Sequence, residues 1–215
     1  MENVTVQQVL DAALDDWRQL AQGLHARFLT GDFVSGLRFV TAVTEVAEEA
    51  NHHPDVTLSY PYVDLKLISH DVGRLTQRDL DLAARISGIA REQGLSSKPA
   101  AVAQLELALD TADSAGVGPF WAALLTGSTD AFTGDDVVDP GSRVPALWFQ
   151  DTEPHETPRQ RFHADLWVPH DSAQERIDRA VAAGGVVVDD TNAPAFVVLA
   201  DPDGNRVCVC TVLGR

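Results

Sequence analysis

The sequence predicts an α+β protein with two domains, and three observations support this prediction. Residues 1–95 alternate helical and extended patterns of apolar residues. A short segment of small and polar residues with a proline follows, and we predict a linker over 96–100. Residues 101–215 then change to strand-like alternation around two helical patterns. The chain has 215 residues, 45% of them hydrophobic, so two domains of roughly 100 residues can each bury a core.

The first domain is predicted to combine helices with a small set of strands. Pro54 forbids continuation of the second helix, which is expected to bury Leu37 and Val43. Asp79 stands three residues after Thr76, at the capping-box position of the last helix. In chain order we predict a helix over 6–21, a strand over 24–30, a helix over 34–51, an extended hairpin over 56–70 and a helix over 76–94.

The second domain contains a short internal repeat. Asp139-Pro140-Gly141 and Asp201-Pro202-Asp203-Gly204 both predict a tight turn that leads into a strand. Each copy follows a strand and a helix, so the repeat predicts two strand–helix–three-strand modules. In chain order we predict a strand over 103–110, a helix over 118–125, strands over 144–150 and 161–168, a helix over 173–183, and strands over 186–189, 196–199 and 206–212.

Charge and composition exclude several kinds of partner. The net charge is −16, and no basic block is present, so we predict no nucleic-acid binding. No apolar run reaches the roughly 20 residues that span a bilayer, so we predict no membrane partner. Cys208 and Cys210 are too far apart along one strand for good disulfide geometry. Together these features predict a cytoplasmic protein.

Three histidines and two carboxylates are candidates for acid/base chemistry. His52 and His53 stand where the second helix must end, and His70 lies on the more polar side of the hairpin. Glu48 precedes His52 by one helical turn, where it can orient that ring. Each residue also has a structural explanation, since imidazoles cap helix ends and Asp79 completes a capping box. A zinc site is disfavoured because this domain has no cysteine and adjacent histidines share a metal poorly.

The spacing of these residues resembles the motif of the pterin-4a-carbinolamine dehydratase family. The resemblance covers about residues 5–93. One departure is the segment Gly73-Arg74-Leu75-Thr76, because the family usually has Gly-Gly-Leu-Thr there. The matching pattern is Glu48-x3-His52-His53-Pro54-x5-Tyr60-x9-His70-x8-Asp79.

The resemblance implies a helix-on-antiparallel-sheet fold and a specific reaction. That reaction is dehydration of a 4a-hydroxytetrahydropterin, such as the tetrahydrobiopterin derivative, to the quinonoid dihydropterin. The pterin is the substrate, and no metal or other cofactor is implied. His52, His53 and His70 are implied as catalytic residues, and we assign proton transfer to the last two. Glu48 and Asp79 are expected to orient the imidazoles.

The second domain resembles the glyoxalase-like domains of the vicinal oxygen chelate superfamily. The resemblance covers about residues 101–213, and its most characteristic part is the turn Asp201-Pro202-Asp203-Gly204-Asn205. It implies paired βαβββ modules with a pocket on a concave sheet face. The usual metal positions hold two amides, one histidine and one cysteine, so we predict no metal there. Strand parity places these pocket candidates on that face: Gln104, Glu106, Trp148, Gln150, His163, Asp165, Trp167, Arg206 and Cys208.

Three functional hypotheses follow from these resemblances. The leading one is a dehydratase with an accessory glyoxalase-like domain, working as a homodimer. The second is a non-catalytic pterin-binding or protein-interaction module that retains the dehydratase fold. The third places metal-dependent glyoxalase or dioxygenase chemistry in the second domain.

Overall fold

The chain forms two compact units, Met1–Gln104 and Leu105–Arg215. No helix in the part of the chain that the structure describes is long and apolar enough to cross a membrane. The computed structural model describes residues 4–102, 104, 106–154, 164–168, 173–210 and 213–214.

The first unit is an antiparallel sheet with helices against one face. Its elements are α1 (Val6–Asp11), β1 (Arg18–Leu20), β2 (Gly23–Leu29), α2 (Phe33–Ala50), β3 (Asp55–Ser59), β4 (Tyr62–Leu67), α3 (Gln77–Glu92) and β5 (Ser96–Ser97). Neighbouring strands follow the order β1-β2-β4-β3, and β5 pairs with β2. All of these pairs are antiparallel, and the predicted α+β class is confirmed.

The core of this unit lies between the sheet and the helices α2 and α3. In β4, Val63, Leu65 and Leu67 are buried while the residues between them are only half buried, as a sheet covered on one face requires. Phe28 of β2 meets Phe39 of α2 with ring centroids 5.1 Å apart. The strand, the hairpin and the two later helices predicted for this domain are therefore confirmed.

The predicted helix over 6–21 is wrong beyond its first turns. α1 ends at Asp11, and Ala13 has a positive φ of 51°, which an α-helix cannot accommodate. Beyond this break Trp17 is buried, and its indole N–H donates to the Ser87 hydroxyl at 3.1 Å. The apolar residues of this segment therefore belong to a turn and to the edge strand β1, and not to one long helix.

The buried face of α2 differs from our expectation at Leu37, which is 54% exposed. Gly36 lets the helix approach the sheet closely, because a Cβ atom there would lie 2.5 Å from Leu58 Cδ1. The helix is therefore rotated so that Leu37 faces outward. The residues that face the sheet are Gly36, Phe39, Val43 and Ala47, one stripe at i, i+3 and i+4 spacing.

The segment predicted as a linker, 96–100, carries structure of its own. β5 pairs with β2, and the Lys98 N–H donates to the Arg27 carbonyl at 2.8 Å. A short 3₁₀ turn over Pro99–Ala101 follows. The first residues of this segment therefore extend the first sheet.

The second unit contains two small mixed sheets. Its elements are β6 (Glu106–Thr111), α4 (Ser114–Thr126), β7 (Asp136–Val137), β8 (Ala146–Asp151), β9 (Ala164–Trp167), α5 (Ala173–Ala182), β10 (Val186–Asp189), β11 (Phe196–Ala200) and β12 (Arg206–Cys210). The strand orders are β6-β8-β7 and β10-β11-β12-β9. The later module shows the predicted strand–helix–three-strand order. In the earlier one, two strands follow the helix among the described residues.

The repeated turns are both built around an aspartate. Asp139 accepts the N–H groups of Gly141 at 2.9 Å and Arg143 at 2.8 Å. Burial raises the pKa of Asp139, but these backbone donors outweigh it, so the pKa lies below its usual range. Asp201 accepts the backbone N–H of Asn205 and the indole N–H of Trp121, each at 2.8 Å. Both turns lead into strands that contribute to the hydrophobic core of the second unit.

Candidate active site

A buried carboxylate, that of Asp79, lies at the centre of the site. Asp79 is 0% exposed and His52 is 6% exposed, and His52 Nε2 lies 2.8 Å from Asp79 Oδ1. The other oxygen, Oδ2, accepts the Ser69 hydroxyl and the Thr76 backbone N–H, each at 2.7 Å. A buried carboxylate is costly unless donors surround it. Here both oxygens have partners.

Three elements bring these groups together. α2 ends at Asn51, whose left-handed φ of 45° turns the chain so that His52 leaves the helix. Ser69 follows the end of β4, and Asp79 lies in the first turn of α3, behind its N-cap Thr76. The capping box predicted from the sequence is confirmed. It fixes the same carboxylate that binds the imidazole.

His53 is adjacent to His52 in the chain but faces solvent. Its side chain is 53% exposed, and its Nε2 atom lies 3.1 Å from Glu48 Oε1. We expected Glu48 to pair with His52 instead, and this expectation is wrong. Because Asn51 reverses the backbone after α2, His52 turns inward to Asp79 and His53 turns outward to Glu48.

His70 lies at a second exposed position of the site, next to Ser69. Its side chain is 63% exposed, and its Nε2 atom lies 3.9 Å from Asp55 Oδ1. The next residue, Asp71, is bound by the Arg78 guanidinium, and this hydrogen bond lowers the pKa of Asp71. The carboxylate that His70 meets is therefore that of Asp55 and not that of Asp71, the residue next to His70 in the sequence.

The five residues predicted from the sequence form parts of three imidazole–carboxylate contacts. Sequence reasoning missed the third carboxylate, Asp55, although it follows His52-His53-Pro54 directly. It also missed Ser69, the inward-facing neighbour of His70, which the alternation of the hairpin indicates. The roles of these residues in a reaction stay predictions.

This arrangement is suited to moving protons. Imidazole gives up or accepts a proton near neutral pH, and a carboxylate beside it fixes which ring nitrogen carries the hydrogen. The His52–Asp79 pair is buried and held by several bonds. His53 and His70 are open to solvent, so a bound ligand can reach them.

Several residues predicted for the pocket of the second domain lie on the described strands β8 and β12. Leu147 and Val207 are buried, and their strand neighbours alternate to the opposite side. β8 and β12 belong to different sheets. The predicted residues that point away from the core are Trp148, Gln150 and Arg206, which are exposed, and Cys208, which is half buried.

Four other predicted pocket residues are described less fully or not at all. Glu106 begins β6, and Asp165 and Trp167 lie in β9, where Asp165 is opposite Cys208 of β12. His163 lies outside the described residues. Within the described part of the chain, no group of three or more His, Cys, Asp or Glu side chains is placed to hold a metal ion.

Gln104 falls in the first compact unit, and its place on the second-domain face stays a prediction. It lies in the first unit, where its side chain hydrogen-bonds His25 of β2. The reason is that the chain after β5 still runs beside β2 before the second unit begins. Burial lowers the pKa of His25, and the charge of Lys66 on the adjacent strand lowers it further.

Comparisons of the sequence with protein families match both domains. The family model described as "Pterin 4 alpha carbinolamine dehydratase" matches residues 1–89, and that described as "Glyoxalase-like domain" matches residues 106–210. A protein of Thermosynechococcus vestitus named "Putative pterin-4-alpha-carbinolamine dehydratase" is 42% identical over 79 residues, 37% of this chain and 83% of its own. A protein of the same name from Acidobacterium capsulatum is 42% identical over 78 residues, 36% of this chain and 85% of its own.

Two solved structures are each similar to part of the chain. One is a transcriptional coactivator/pterin dehydratase from Brucella melitensis, with 27% identity and a TM-score of 0.40, covering 41% of this chain and 99% of its own. The other is a pterin dehydratase-like RuBisCO assembly factor of the alpha-carboxysome, with 25% identity and a TM-score of 0.30, covering 35% and 89%.

Replacing the central carboxylate tests its structural role. We expect Asp79→Asn to lower the free energy of unfolding of the first unit by about 1–3 kcal/mol, because an amide nitrogen must then face a buried donor. Asp81→Asn on the same helix is the matched control, since exposed Asp81 accepts only from Gln77 in the described contacts, and about 0.5 kcal/mol or less is expected. Urea unfolding of both variants measures the difference. Equal losses contradict the central role of Asp79.

The lowered pKa of His25 predicts acid sensitivity of the fold. The folded pKa lies below the ordinary value of 6.5, so the unfolded chain binds the proton more tightly. The stability that neutral His25 contributes is thus complete above that value and is lost as pH falls through the folded pKa. We expect His25→Gln to reduce the loss of stability between about pH 7.5 and about pH 5. Urea unfolding at several pH values measures both slopes, and equal slopes contradict the prediction.

Proposed function

The chain belongs to the pterin-4-alpha-carbinolamine dehydratase family through its first domain, and on this basis we propose that it dehydrates a 4a-hydroxytetrahydropterin. The second domain is glyoxalase-like and serves the enzyme as an accessory. The observation that carries the proposal is the placement of two solvent-open imidazoles, His53 and His70, around the buried His52–Asp79 pair.

The reaction needs one proton delivered and one removed. The C4a–O bond breaks, and the oxygen leaves as water once it receives a proton. The N5–H proton is lost as the N5=C4a bond forms, giving the quinonoid dihydropterin. A positioned acid or base typically contributes about 10²–10⁴-fold to such a step, and imidazole can serve either step near neutral pH.

The burial of the three histidines supports different roles for them. His53 and His70 are more than half exposed, so we assign proton transfer with the substrate to these two. His52 is 6% exposed and bound to Asp79, so we assign it to binding and to holding the neighbouring His53 in place. These roles need no metal or additional cofactor.

We also propose that the working form is a cytoplasmic homodimer. Phe33, Val34 and Leu37 at the beginning of α2 are each at least half exposed, and a second copy of the chain would cover this apolar surface. Cys208 and Cys210 are not joined in a disulfide, as is usual in a reducing compartment. We expect Leu37→Asp to weaken the dimer, and sedimentation velocity over a range of concentrations measures this. A monomeric wild type contradicts the proposal.

A dehydration assay on freshly generated 4a-hydroxytetrahydropterin tests the activity. We expect His53→Ala and His70→Ala each to lower kcat by about 10²–10⁴-fold, because each removes one proton-transfer group. His170→Ala is the matched control, since this histidine of the second domain belongs to neither predicted site. It should retain wild-type turnover.

Two other outcomes point to other functions. No wild-type turnover above the uncatalysed rate, with pterin still bound, indicates a non-catalytic pterin-binding or interaction module. Turnover of another substrate by a protein that purifies with stoichiometric metal moves the chemistry to the second domain. Metal analysis of the purified chain distinguishes the two.

A further inference from the structure

The carboxylate of Asp55 has an unmet hydrogen-bonding capacity beside His70. Asp55 begins β3, immediately after Pro54, and its Oδ1 atom lies 3.9 Å from His70 Nε2. Its Oδ2 atom is buried and has no hydrogen-bond partner among the described residues. Buried carboxylate oxygens are almost always hydrogen-bonded, so we expect Oδ2 of Asp55 to accept a hydrogen bond from a donor.

Two other charged groups on this sheet face, those of Lys66 and Asp64, are turned away from Asp55. The half-buried imidazole of His25 is near enough that the Asp55 charge acts to raise its pKa, although burial outweighs that effect. Lys66 is directly opposite Asp55 in the sheet, but its Cε atom lies 3.3 Å from the position of a Cβ on Gly23. The Lys66 side chain therefore runs toward β2, and the described ion pairs include none between Lys66 and Asp55. Asp64, the next carboxylate on this sheet face, accepts hydrogen bonds from Nε and Nη2 of Arg27, each at 2.6 Å.

We propose that Asp55 is a positioning residue for His70. This inference rests on the proposed function and adds a residue that the sequence motif does not contain. A separation of 3.9 Å is too long for a hydrogen bond, but catalytic contacts often tighten only when the substrate binds. A small rotation of the exposed His70 ring lets its Nε2–H donate to Asp55.

This contact fixes the tautomer of His70. With the Nε2–H held by the Asp55 carboxylate, the other ring nitrogen, Nδ1, is the atom presented to the pterin. In the imidazolium form of His70, Nδ1 gives its proton to the departing 4a-oxygen, and in the neutral Nε2–H tautomer Nδ1 takes the proton from N5. Asp55 keeps its charge throughout. The carboxylate exchanges no proton and touches no substrate atom, so it acts only through His70.

Asp55→Asn tests this role. We expect kcat to fall by about tenfold or more, which is less than the 10²–10⁴-fold for a proton-transfer group itself, with KM changed by less than about twofold because the pterin contacts remain. Asp55→Glu should restore much of the rate, since it keeps the charge. Asp64→Asn is the matched control on the same sheet face, and it should leave kcat unchanged even though it breaks the bond to Arg27.

A double-mutant cycle separates positioning from a general structural effect. In a His70→Ala background, Asp55→Asn should cost no further activity, because the residue through which it acts is gone. A further loss equal to that in the wild type overturns the proposal. Urea unfolding of each variant identifies a loss caused by misfolding, and in that case Asp55→Glu decides.

A spectroscopic readout keeps the inference distinct from the proposed activity. ¹⁵N spectra of the His70 ring should show the Nε2–H tautomer in the wild type with a pterin bound and a mixture of tautomers in Asp55→Asn. If the wild type lacks turnover but the tautomer depends on Asp55, the proposed reaction fails and the positioning role stands. If the tautomer is the same in both proteins, the positioning role fails whatever the turnover.

Discussion

The arrangement of the first domain depends on one buried carboxylate. Asp79 is 0% exposed, and a charge in that position destabilises the fold unless donors surround it. Those donors come from three places: the end of α2 with His52, the end of β4 with Ser69, and the N-cap of α3 with Thr76. The requirement to satisfy this carboxylate therefore aligns the ends of three elements at one point of the molecule.

The local part of this arrangement could be predicted from the sequence, and the distant part could not. A capping box joins residues three apart, so Thr76 and Asp79 are recognisable in a linear pattern. The His52–Asp79 contact joins residues 27 apart and depends on how α2 and α3 pack on the sheet. Asn51 adopts a left-handed conformation, and this turn directs His52 inward. Helical spacing alone favoured a pairing of His52 with Glu48, which does not occur.

The same distinction holds elsewhere in the chain. Strand parity depends only on alternation, and the residues that it placed away from the core, Trp148, Gln150 and Arg206, are exposed. Their place in a pocket stays a prediction. The helix predicted over 6–21 failed because periodicity does not reveal a break such as the positive φ of Ala13. Gln104, which strand alternation placed with the second domain, lies at the end of the first compact unit, and alternation alone does not show where one unit ends and the next begins.

The three imidazole–carboxylate contacts differ in burial. The buried contact is rigid, whereas the two exposed contacts can rearrange. The His52–Asp79 pair is almost inaccessible, whereas the rings of His53 and His70 are 53% and 63% exposed. A buried hydrogen-bonded pair resists rearrangement because breaking it leaves a buried polar group without a partner, while exposed pairs contribute little stability and exchange partners readily. The His52–Asp79 pair thus holds the ends of α2 and α3 together, and the rings of His53 and His70 remain free to turn toward a ligand. In the proposed reaction such a site can keep its geometry while protons arrive and leave, because the group that fixes the backbone is not one of the groups to which we assign proton transfer.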